Sequence, residues 1–357
     1  MHLKSHALKF ALVTALSVLA ACSAEKPSHS EASAPDVKAD AGELNLYSSR
    51  HYDTDLRLYS DFEAQTGIKI NRIEAKSNAL IERIKSEGEF SPADLLVTVD
   101  AGVFWRAEEA GILQPISSNT LEQRIPPQFR HPEGLWHGLS KRARVIIYNK
   151  SKGKPSGLNS YADLADPAHR GKICMRSSGN IYNISLLASM IAHDGASAAQ
   201  SWAKGVSDNF ARKPQSNDSG QIEAVAASIC EISVVNSYYL ARYARSDEAQ
   251  KKDIFNALGI IFPNQATRGT HVNISGAALT AHAPNPENAL KFLEYLTTEK
   301  AQSYFADGNN EYPVIQSQTA SAALQSLGTF KEDQINVANF GKNQAEAIRI
   351  YDAVSWP

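Results

Sequence analysis

An alternation of short apolar strands with amphipathic helices constrains the fold of this chain more than any other feature of its sequence. Thr54 and Ser77 are suitable N-cap residues for the first two predicted helices, and a third helix is predicted over 101–110. Strands and helices that alternate in this way form a parallel sheet with helices on both faces. The sequence therefore predicts an α/β fold. Its first three strands are predicted at 44–47, 68–73 and 94–99.

Two β-rich segments interrupt this alternation, one at 142–148 and one at 271–279. No helix follows the first segment immediately, and the residues between the two segments repeat the strand-and-helix pattern. Each segment is therefore predicted to cross from one lobe to another, so that two crossover strands form a hinge. The predicted lobes are 43–142 plus 276–315 for the first and 143–275 plus 316–357 for the second.

The N-terminal residues carry an export pattern. Lys4 and Lys9 precede an apolar run, 10–19, that is too short to cross a bilayer as a helix. The run continues into Leu-Ala-Ala-Cys, which resembles the lipobox of bacterial lipoproteins. That resemblance implies a signal peptide over 1–21, cleavage before Cys22, and acylation of Cys22. An ordinary signal peptide cut nearby is the alternative, and it also implies export.

A flexible tether is predicted for residues 22–42, because Ser, Ala, Glu, Lys and Pro dominate this segment and cannot bury enough apolar surface to fold. We expect the folded part to lie at the periplasmic face of a bacterial membrane, held there by the lipid anchor on Cys22. The formal net charge of −2 gives no indication of a nucleic-acid partner. A monomer is expected.

Only two cysteines, Cys174 and Cys230, remain after Cys22. An even number of cysteines in an oxidising compartment favours a disulfide, which here would close a loop of about 55 residues. In the chain-entropy model such a bridge stabilises the folded protein by about 4 kcal/mol. Two reduced, buried thiols are the alternative.

Tyrosines follow two of the predicted strands at equivalent positions. Tyr238 and Tyr239 are adjacent and stand where an apolar strand gives way to a helix. Cys230 precedes Tyr238 by eight residues, and Cys174 precedes a third tyrosine, Tyr182, by the same number. Ligands of open α/β sheets bind beyond the carboxyl ends of the strands, so neighbouring parallel strands would bring these tyrosines to one rim. The alternative is an amphipathic surface or interface feature.

Several phenol oxygens at one rim indicate a site for a metal ion. A phenol has a pKa near 10, so ionising each one at neutral pH costs about 4 kcal/mol, and only a strongly charged hard cation compensates for three or four. Fe3+ is therefore the expected ion. Three phenolates neutralise it, and a fourth leaves a negative charge that nearby guanidinium groups would offset. Arg142, Arg144 and Arg242 could do so, and for each of them a salt bridge at the surface or between lobes is the alternative.

Six stretches of the sequence together match one protein family. They are YSSRHYDTD at 47–55, RARVIIY at 142–148, RSSGNIYN at 176–183, NSYY at 236–239, FPNQ at 262–265 and GTHVNISG at 269–276. With these stretches the chain resembles the ferric-iron-binding proteins of bacterial ABC uptake systems, and most closely their cyanobacterial Fut-type branch. The resemblance extends over about 44–315. It implies a two-lobed, type II periplasmic-binding-protein fold with Fe3+ as the transported ligand and a membrane permease with its ATPase as partners.

The same resemblance implies which residues bind the iron. One lobe would contribute Tyr182, Tyr238 and Tyr239. The other would contribute Tyr52, with His51 adjacent to it or substituting for it. Relatives that use a histidine here add a carboxylate from further along the chain, for which this sequence offers only Glu82 nearby. The predicted charge partners of the cluster are Arg142 and Arg242.

Two other classes of function compete with iron transport. The first is a receptor of the same fold for an organic anion or a polyamine, in which the tyrosines form an aromatic cage and the arginines bind carboxylates. The second is a secreted hydrolase or metal-dependent enzyme. The sequence has no Gly-x-Ser-x-Gly elbow, no His-Glu-x-x-His pair and no Walker loop, and no nucleophile is paired with a base. We therefore predict that the protein is not an enzyme.

Overall fold

The computed structural model describes residues 41–50 and 52–357. The strands of this part of the chain are β1 (Glu43–Ser48), β2 (Lys69–Glu74), β3 (Leu95–Val99), β4 (His137–Asn149), β5 (Ile173–Cys174), β6 (Ile232–Asn236), β7 (Leu258–Ile261), β8 (Val272–Leu279) and β9 (Tyr312–Pro313). Its α-helices are α1 (Asp55–Thr66), α2 (Ser77–Glu87), α3 (Ala101–Glu109), α4 (Asn119–Arg124), α5 (Ile181–Asp194), α6 (Ala196–Asp208), α7 (Asp218–Ala226), α8 (Ser237–Arg245), α9 (Ala249–Asn256), α10 (Pro286–Leu296), α11 (Glu299–Asn309), α12 (Ala322–Gln325), α13 (Ala338–Lys342) and α14 (Gln344–Ala353).

The strands form one mixed sheet in the order β2-β1-β3-β8-β4-β6-β5, and β7 and β9 also pair with β4. β1 is parallel to β2 and to β3, and β5 is parallel to β6, so the predicted parallel pairing is present in each half of the sheet. β8 runs antiparallel to both of its neighbours, and β4 runs antiparallel to β6. The α/β prediction is therefore confirmed, although the two crossing strands make the sheet mixed.

β4 belongs to both halves of the sheet. Residues 137–143 pair with β8, whereas residues 144–148 pair with β6. β8 lies directly beside the first part of β4 and returns the chain to the first half of the sheet. All eight residues of β8 are buried, as are eleven of the thirteen residues of β4. The two crossing strands that the sequence predicts are thus adjacent strands at the centre of the sheet, where apolar side chains can be covered on both faces.

Helices cover both halves of this sheet. In the first half, α1 packs on α10 and α11, and α2 packs on β1 and β3. In the second half, α7 and α8 pack on β6, while α14 packs on α5 and α6. α13 contacts α3 in the first half and α5 in the second. The exact lobe boundaries given above stay a prediction.

Thr54 does not cap α1 through its side chain as expected. Its hydroxyl donates instead to the side-chain oxygen of Asn309, at the end of α11. The reason is tertiary, because α11 packs against α1 and brings a buried acceptor within reach of this hydroxyl. The opposite end of α1 follows its local sequence, since Gly67 adopts the left-handed conformation that ends many helices.

The predicted signal peptide, Cys22 and the tether up to residue 40 lie outside the described residues, and so does His51. Among the helices that are described, none combines the length and the apolar character needed to cross a membrane.

A disulfide joins Cys174 to Cys230, with their Cα atoms 5.9 Å apart. Cys174 ends β5, Cys230 lies just before β6, and both side chains are buried. Because β5 and β6 are parallel neighbours, the bridge fixes the relative position of the two strands that precede Tyr182 and Tyr238.

Removing this bridge should lower the free energy of unfolding. The bridged cysteines are 56 residues apart, so the double variant Cys174→Ala/Cys230→Ala should lose about 4 kcal/mol, because its unfolded chain regains the entropy of the open loop. Urea denaturation under oxidising conditions measures the loss. A reducing agent should shift the wild-type midpoint in the same direction and leave the double variant unchanged. Equal midpoints for the two oxidised proteins would contradict the prediction.

Candidate metal centre

The start of α8 holds two of the tyrosines at the carboxyl end of β6. Ser237, the first residue of the helix, accepts a hydrogen bond from the Ala143 N–H of β4 at 3.2 Å, which ties this helix end to the crossing strand. Tyr238 is buried and Tyr239 is half-buried. Their ring centroids are 4.4 Å apart with an interplanar angle of 30°. The two phenol rings therefore lie side by side beyond the carboxyl end of β6.

The start of α5 holds the third tyrosine beside them. The Asn180 side chain caps this helix by accepting a hydrogen bond from the Tyr182 N–H at 3.1 Å. The Tyr238 hydroxyl donates to the Tyr182 hydroxyl oxygen at 3.3 Å. Two neighbouring parallel strands thus bring two phenol oxygens together, as expected from the equal spacing of eight residues.

Tyr52 approaches the cluster from the other half of the sheet, where it lies just before α1. The Arg242 guanidinium carbon is 5.1 Å from the ring centroid of Tyr238 and 5.5 Å from that of Tyr239. The same carbon is 5.5 Å from the Tyr52 ring centroid. One arginine of α8 therefore contacts tyrosines that come from both halves of the sheet.

Further guanidinium groups surround Tyr182. The guanidinium carbons of Arg142 and Arg176 are each 5.4 Å from its ring centroid. Arg142 is buried, and its Nη2 makes no hydrogen bond within the described part of the chain, although it stands 3.6 Å from Asp100 Oδ2. The Arg176 contact was not predicted, even though this residue begins one of the stretches that carry the family resemblance. Positive charge therefore lies close to the site where a phenolate would form.

Arg144, the other buried arginine of β4, is held mainly by ordinary structural contacts. Its Nη1 lies 2.8 Å from Asp218 Oδ2, and its Nη2 donates to the Asn183 side chain at 2.9 Å. Its guanidinium carbon is 6.0 Å from the Tyr182 ring centroid, further away than that of Arg142. Arg144 therefore forms a buried salt bridge within the second half of the sheet, and not the surface or inter-lobe salt bridge that was the alternative for it.

Three phenols of the cluster, those of Tyr52, Tyr182 and Tyr238, have raised pKa values. Burial raises the pKa of Tyr182 to about 12, against the opposing effect of Arg142. Burial also raises the pKa of Tyr238 well above its ordinary value, and the neighbouring phenols add to that rise. For Tyr52, burial and the charge of Glu311 raise the pKa, whereas Arg50 and Arg242 lower it. A metal ion must displace these protons, which favours a highly charged ion.

Histidine, cysteine and carboxylate groups do not form a metal site in the described part of the chain, where no cluster of three or more of them could hold an ion. Glu82 is exposed on α2. His51 lies outside the described residues, so the choice between His51 and Tyr52 stays a prediction. The donor set that the structure brings together is thus phenolic and suits a hard cation such as Fe3+.

A cleft of about 1190 Å³ opens at the start of α5, and its lining includes none of the cluster tyrosines. Its walls come from both halves of the sheet, with Ser49 and Ser77 on one side and Arg176 and Ile181 on the other. The space between these two walls is large enough to admit a hydrated ion or a small chelate.

Comparisons with known proteins find relatives over most of this chain. The model of a family described as bacterial extracellular solute-binding protein matches residues 90–331. Iron uptake protein A1 of Synechocystis sp. is 46% identical to this chain over 347 residues, which cover 97% of this chain and 95% of that protein.

Solved structures are similar along nearly their whole length. A Trichodesmium protein (IdiA, FutA), solved in complex with iron and citrate ligands, is 56% identical with a TM-score of 0.86, and the match covers 88% of this chain and 100% of that chain. Apo FutA2 from Synechocystis PCC6803 is 47% identical with a TM-score of 0.85, and here the match covers 88% and 99%.

The protonated state of Tyr182 should make the metal-free protein sensitive to alkali. Because its pKa is raised from 10.0 to about 12 on folding, the stability it contributes is complete below pH 10 and is lost as the pH rises through about 12. By about pH 11.5, Tyr182→Phe should retain about 2 kcal/mol of unfolding free energy that the wild type loses. Urea denaturation at pH 9 and pH 11.5 tests this. Equal losses in the two proteins would contradict it.

Proposed function

Because the chain belongs to the family of bacterial extracellular solute-binding proteins, we propose that its tyrosine cluster captures ferric iron for an ABC importer. The protein is a periplasmic ferric-iron-binding protein of the two-lobed, type II fold, and Fe3+ is its transported ligand. A permease and its ATPase receive the ion. The observation that carries the proposal is the 3.3 Å distance between the hydroxyl oxygens of Tyr182 and Tyr238.

Charge balance supports Fe3+ as the ion. Three phenolates from Tyr182, Tyr238 and Tyr239 neutralise it, and a fourth from Tyr52 leaves one negative charge. Arg242 lies against three of these rings and Arg142 against the fourth, so each phenolate forms near a guanidinium group. Such charges offset part of the cost of ionising a buried phenol. A divalent ion would leave a more negative cluster and would compensate less for the protons that it displaces.

Iron binding is coupled to closure of the two lobes. Tyr182 and Tyr238 approach each other within the second half of the sheet, so this part of the site does not depend on the position of the first half. Tyr52 belongs to the first half and reaches the ion when the cleft is shut. Iron therefore binds the closed conformation more tightly than the open one, and this difference in affinity drives closure.

The guanidinium groups also argue against a polyamine as the ligand. Arg142, Arg176 and Arg242 lie within 5.5 Å of tyrosine ring centroids, and a cationic guest in an aromatic cage would meet their like charges. An organic anion would be compatible with these arginines. It would not produce a charge-transfer band with iron, so a spectrum separates it from the proposed ligand.

Attachment of the protein to a membrane and its monomeric state are part of the same proposal. Acylation of Cys22 would hold it to a bacterial membrane through the tether of residues 22–42, and one folded monomer would work on each anchor. A solute-binding role without catalysis agrees with the absence of catalytic signatures from the sequence.

Titration of the purified protein with ferric citrate should produce a broad visible band. The band arises from charge transfer between phenolate and Fe3+, and it should saturate at one iron per chain. Ga3+ is the control, because it forms the same kind of complex without a charge-transfer band and should raise the melting temperature in colourless form. If iron gives neither a band nor a change in melting temperature, the organic-anion receptor becomes the better description.

Replacing one ligand should weaken iron binding without unfolding the protein. Tyr239→Phe removes only a hydroxyl, yet it should lower the ferric affinity by more than about 100-fold, because the loss of a ligand exceeds the 10- to 100-fold effects of outer partners. Competition with a chelator of known affinity measures the change. Tyr243→Phe is a matched control on the same helix, where the Tyr243 hydroxyl donates to Glu223 at 2.7 Å. Unchanged affinity in Tyr239→Phe would remove Tyr239 from the site.

A further inference from the structure

A buried carboxylate, Glu311, stands behind the loop that carries Tyr52. It follows α11 directly after Asn310, which adopts the left-handed conformation. Glu311 is only 3% exposed. Its Oε2 accepts a hydrogen bond from Ser140 Oγ at 2.8 Å, and its Oε1 accepts one from Ser275 Oγ at 2.9 Å. Ser140 belongs to β4 and Ser275 to β8, so one carboxylate binds both crossover strands.

The same carboxylate pairs with Arg50, two residues before Tyr52. Arg50 Nη1 lies 2.8 Å from Glu311 Oε2, and the side chain of Arg50 is itself only 3% exposed. The Arg50 guanidinium carbon is 5.1 Å from the Tyr52 ring centroid and 5.1 Å from that of Phe305 on α11. The guanidinium group of Arg50 therefore lies between the rings of Phe305 and Tyr52, and Glu311 forms an ion pair with it.

Asp55 holds the other end of this loop in the same way. Arg50 Nε lies 3.0 Å from Asp55 Oδ2, and Asn309 Nδ2 donates to Asp55 Oδ1 at 2.7 Å. Both ends of the short segment that contains Tyr52 are thus bound to Asn309 at the end of α11 or to Glu311 just after it. Such charge-assisted hydrogen bonds in a buried setting restrict a loop more than neutral ones do.

The network continues from Glu311 towards Tyr182. Ser275 Oγ, which donates to Glu311, also lies 3.4 Å from Arg142 Nη1, and Arg142 contacts the Tyr182 ring. Burial alone would raise the pKa of Glu311, but Arg50 and Arg142, together with the hydrogen bonds to it, hold that pKa below its ordinary value. Glu311 therefore carries a negative charge between two arginines. Arg50 contacts Tyr52 on one side, and Arg142 contacts Tyr182 on the other.

We propose that Glu311 is a positioning residue for the first-lobe iron ligand, because it fixes Arg50, and through Arg50 the ring of Tyr52, relative to both crossover strands. Glu311 does not contact the ion in this arrangement. Its effect is to hold Tyr52 at a fixed position relative to β4 and β8. When the lobes close, the phenol of Tyr52 then reaches the iron that the second-lobe tyrosines already bind. The inference rests on the proposed function, and it adds a residue that is not among the predicted iron ligands.

A double-mutant cycle separates this role from a purely structural one. The purified protein is loaded with Fe3+, and iron release to excess EDTA is followed by loss of the charge-transfer band in wild type, Glu311→Gln, Tyr52→Phe and the double variant. Glu311→Gln should release iron about 10- to 100-fold faster, because it loses the charge-assisted bond to Arg50. In the Tyr52→Phe background the same change should have less than about a 2-fold effect, because two residues that act through one contact are not additive.

The band itself provides a second readout. Glu311→Gln should shift its maximum in the same direction as Tyr52→Phe while the stoichiometry stays at one iron per chain. Glu311→Asp keeps the charge and should recover most of the slow release. Glu294→Gln is the matched control, because this carboxylate accepts a hydrogen bond from Ser118 at 2.5 Å, away from the cluster, and its removal should leave the release rate unchanged.

Three results would overturn the inference: wild-type release by Glu311→Gln, the same acceleration in both backgrounds of the cycle, or wild-type release by Tyr52→Phe. If Glu311→Gln does not fold, Ser275→Ala, which removes one donor to the same carboxylate, takes its place in the cycle with the same outcomes. A wild-type protein without any charge-transfer band would instead refute the proposed function. The two failures are therefore distinguishable.

Discussion

The cost of placing negative charge on buried phenol oxygens is the constraint on which the rest of this site depends. Burial raises the pKa of Tyr182 and Tyr238, so neither oxygen is a ligand until an ion displaces its proton. Arg142 and Arg242 lie against the rings where that charge would form in the proposed iron complex. Arg142 is balanced in turn by Asp100, whose Oδ1 accepts hydrogen bonds from Gly102 and Ser185. The compensation thus extends from the cluster into the strands and helices behind it.

Topology explains why these groups meet. β5 and β6 are parallel, and the helices that follow their carboxyl ends begin at Ile181 and Ser237, each beside a tyrosine of the cluster. β4 runs antiparallel beside β6, with Arg144 opposite Asn236, so its buried arginines lie at the same rim. Tyr52 comes from the equivalent rim of the first half, after β1. The shared strand β4 therefore brings the two rims to face each other.

The sequence predicted those features of the structure that depend on short-range patterns in the chain. Alternating strands and helices indicated the fold, and the equal spacing from Cys174 to Tyr182 and from Cys230 to Tyr238 indicated that two phenols would meet. Partners far apart in the chain were missed. Arg50 and Glu311 are 261 residues apart, and no periodicity links an arginine in a loop to a carboxylate after a distant helix. Arg144 was named among the possible charge partners, yet its ion pair with Asp218 could be found only from tertiary packing.

The position of β8 has a consequence for how the chain reaches its native state. This strand is among the last to be synthesised, yet it lies between β3 and β4 at the centre of the sheet. A nascent chain that ends before Val272 leaves β3 with an unpaired edge, because β8 pairs directly with it. Folding must therefore wait for contacts that are distant in sequence, which makes it slow compared with that of locally connected folds. C-terminal truncations that reach β8 would disrupt the interior of the sheet rather than shorten its margin.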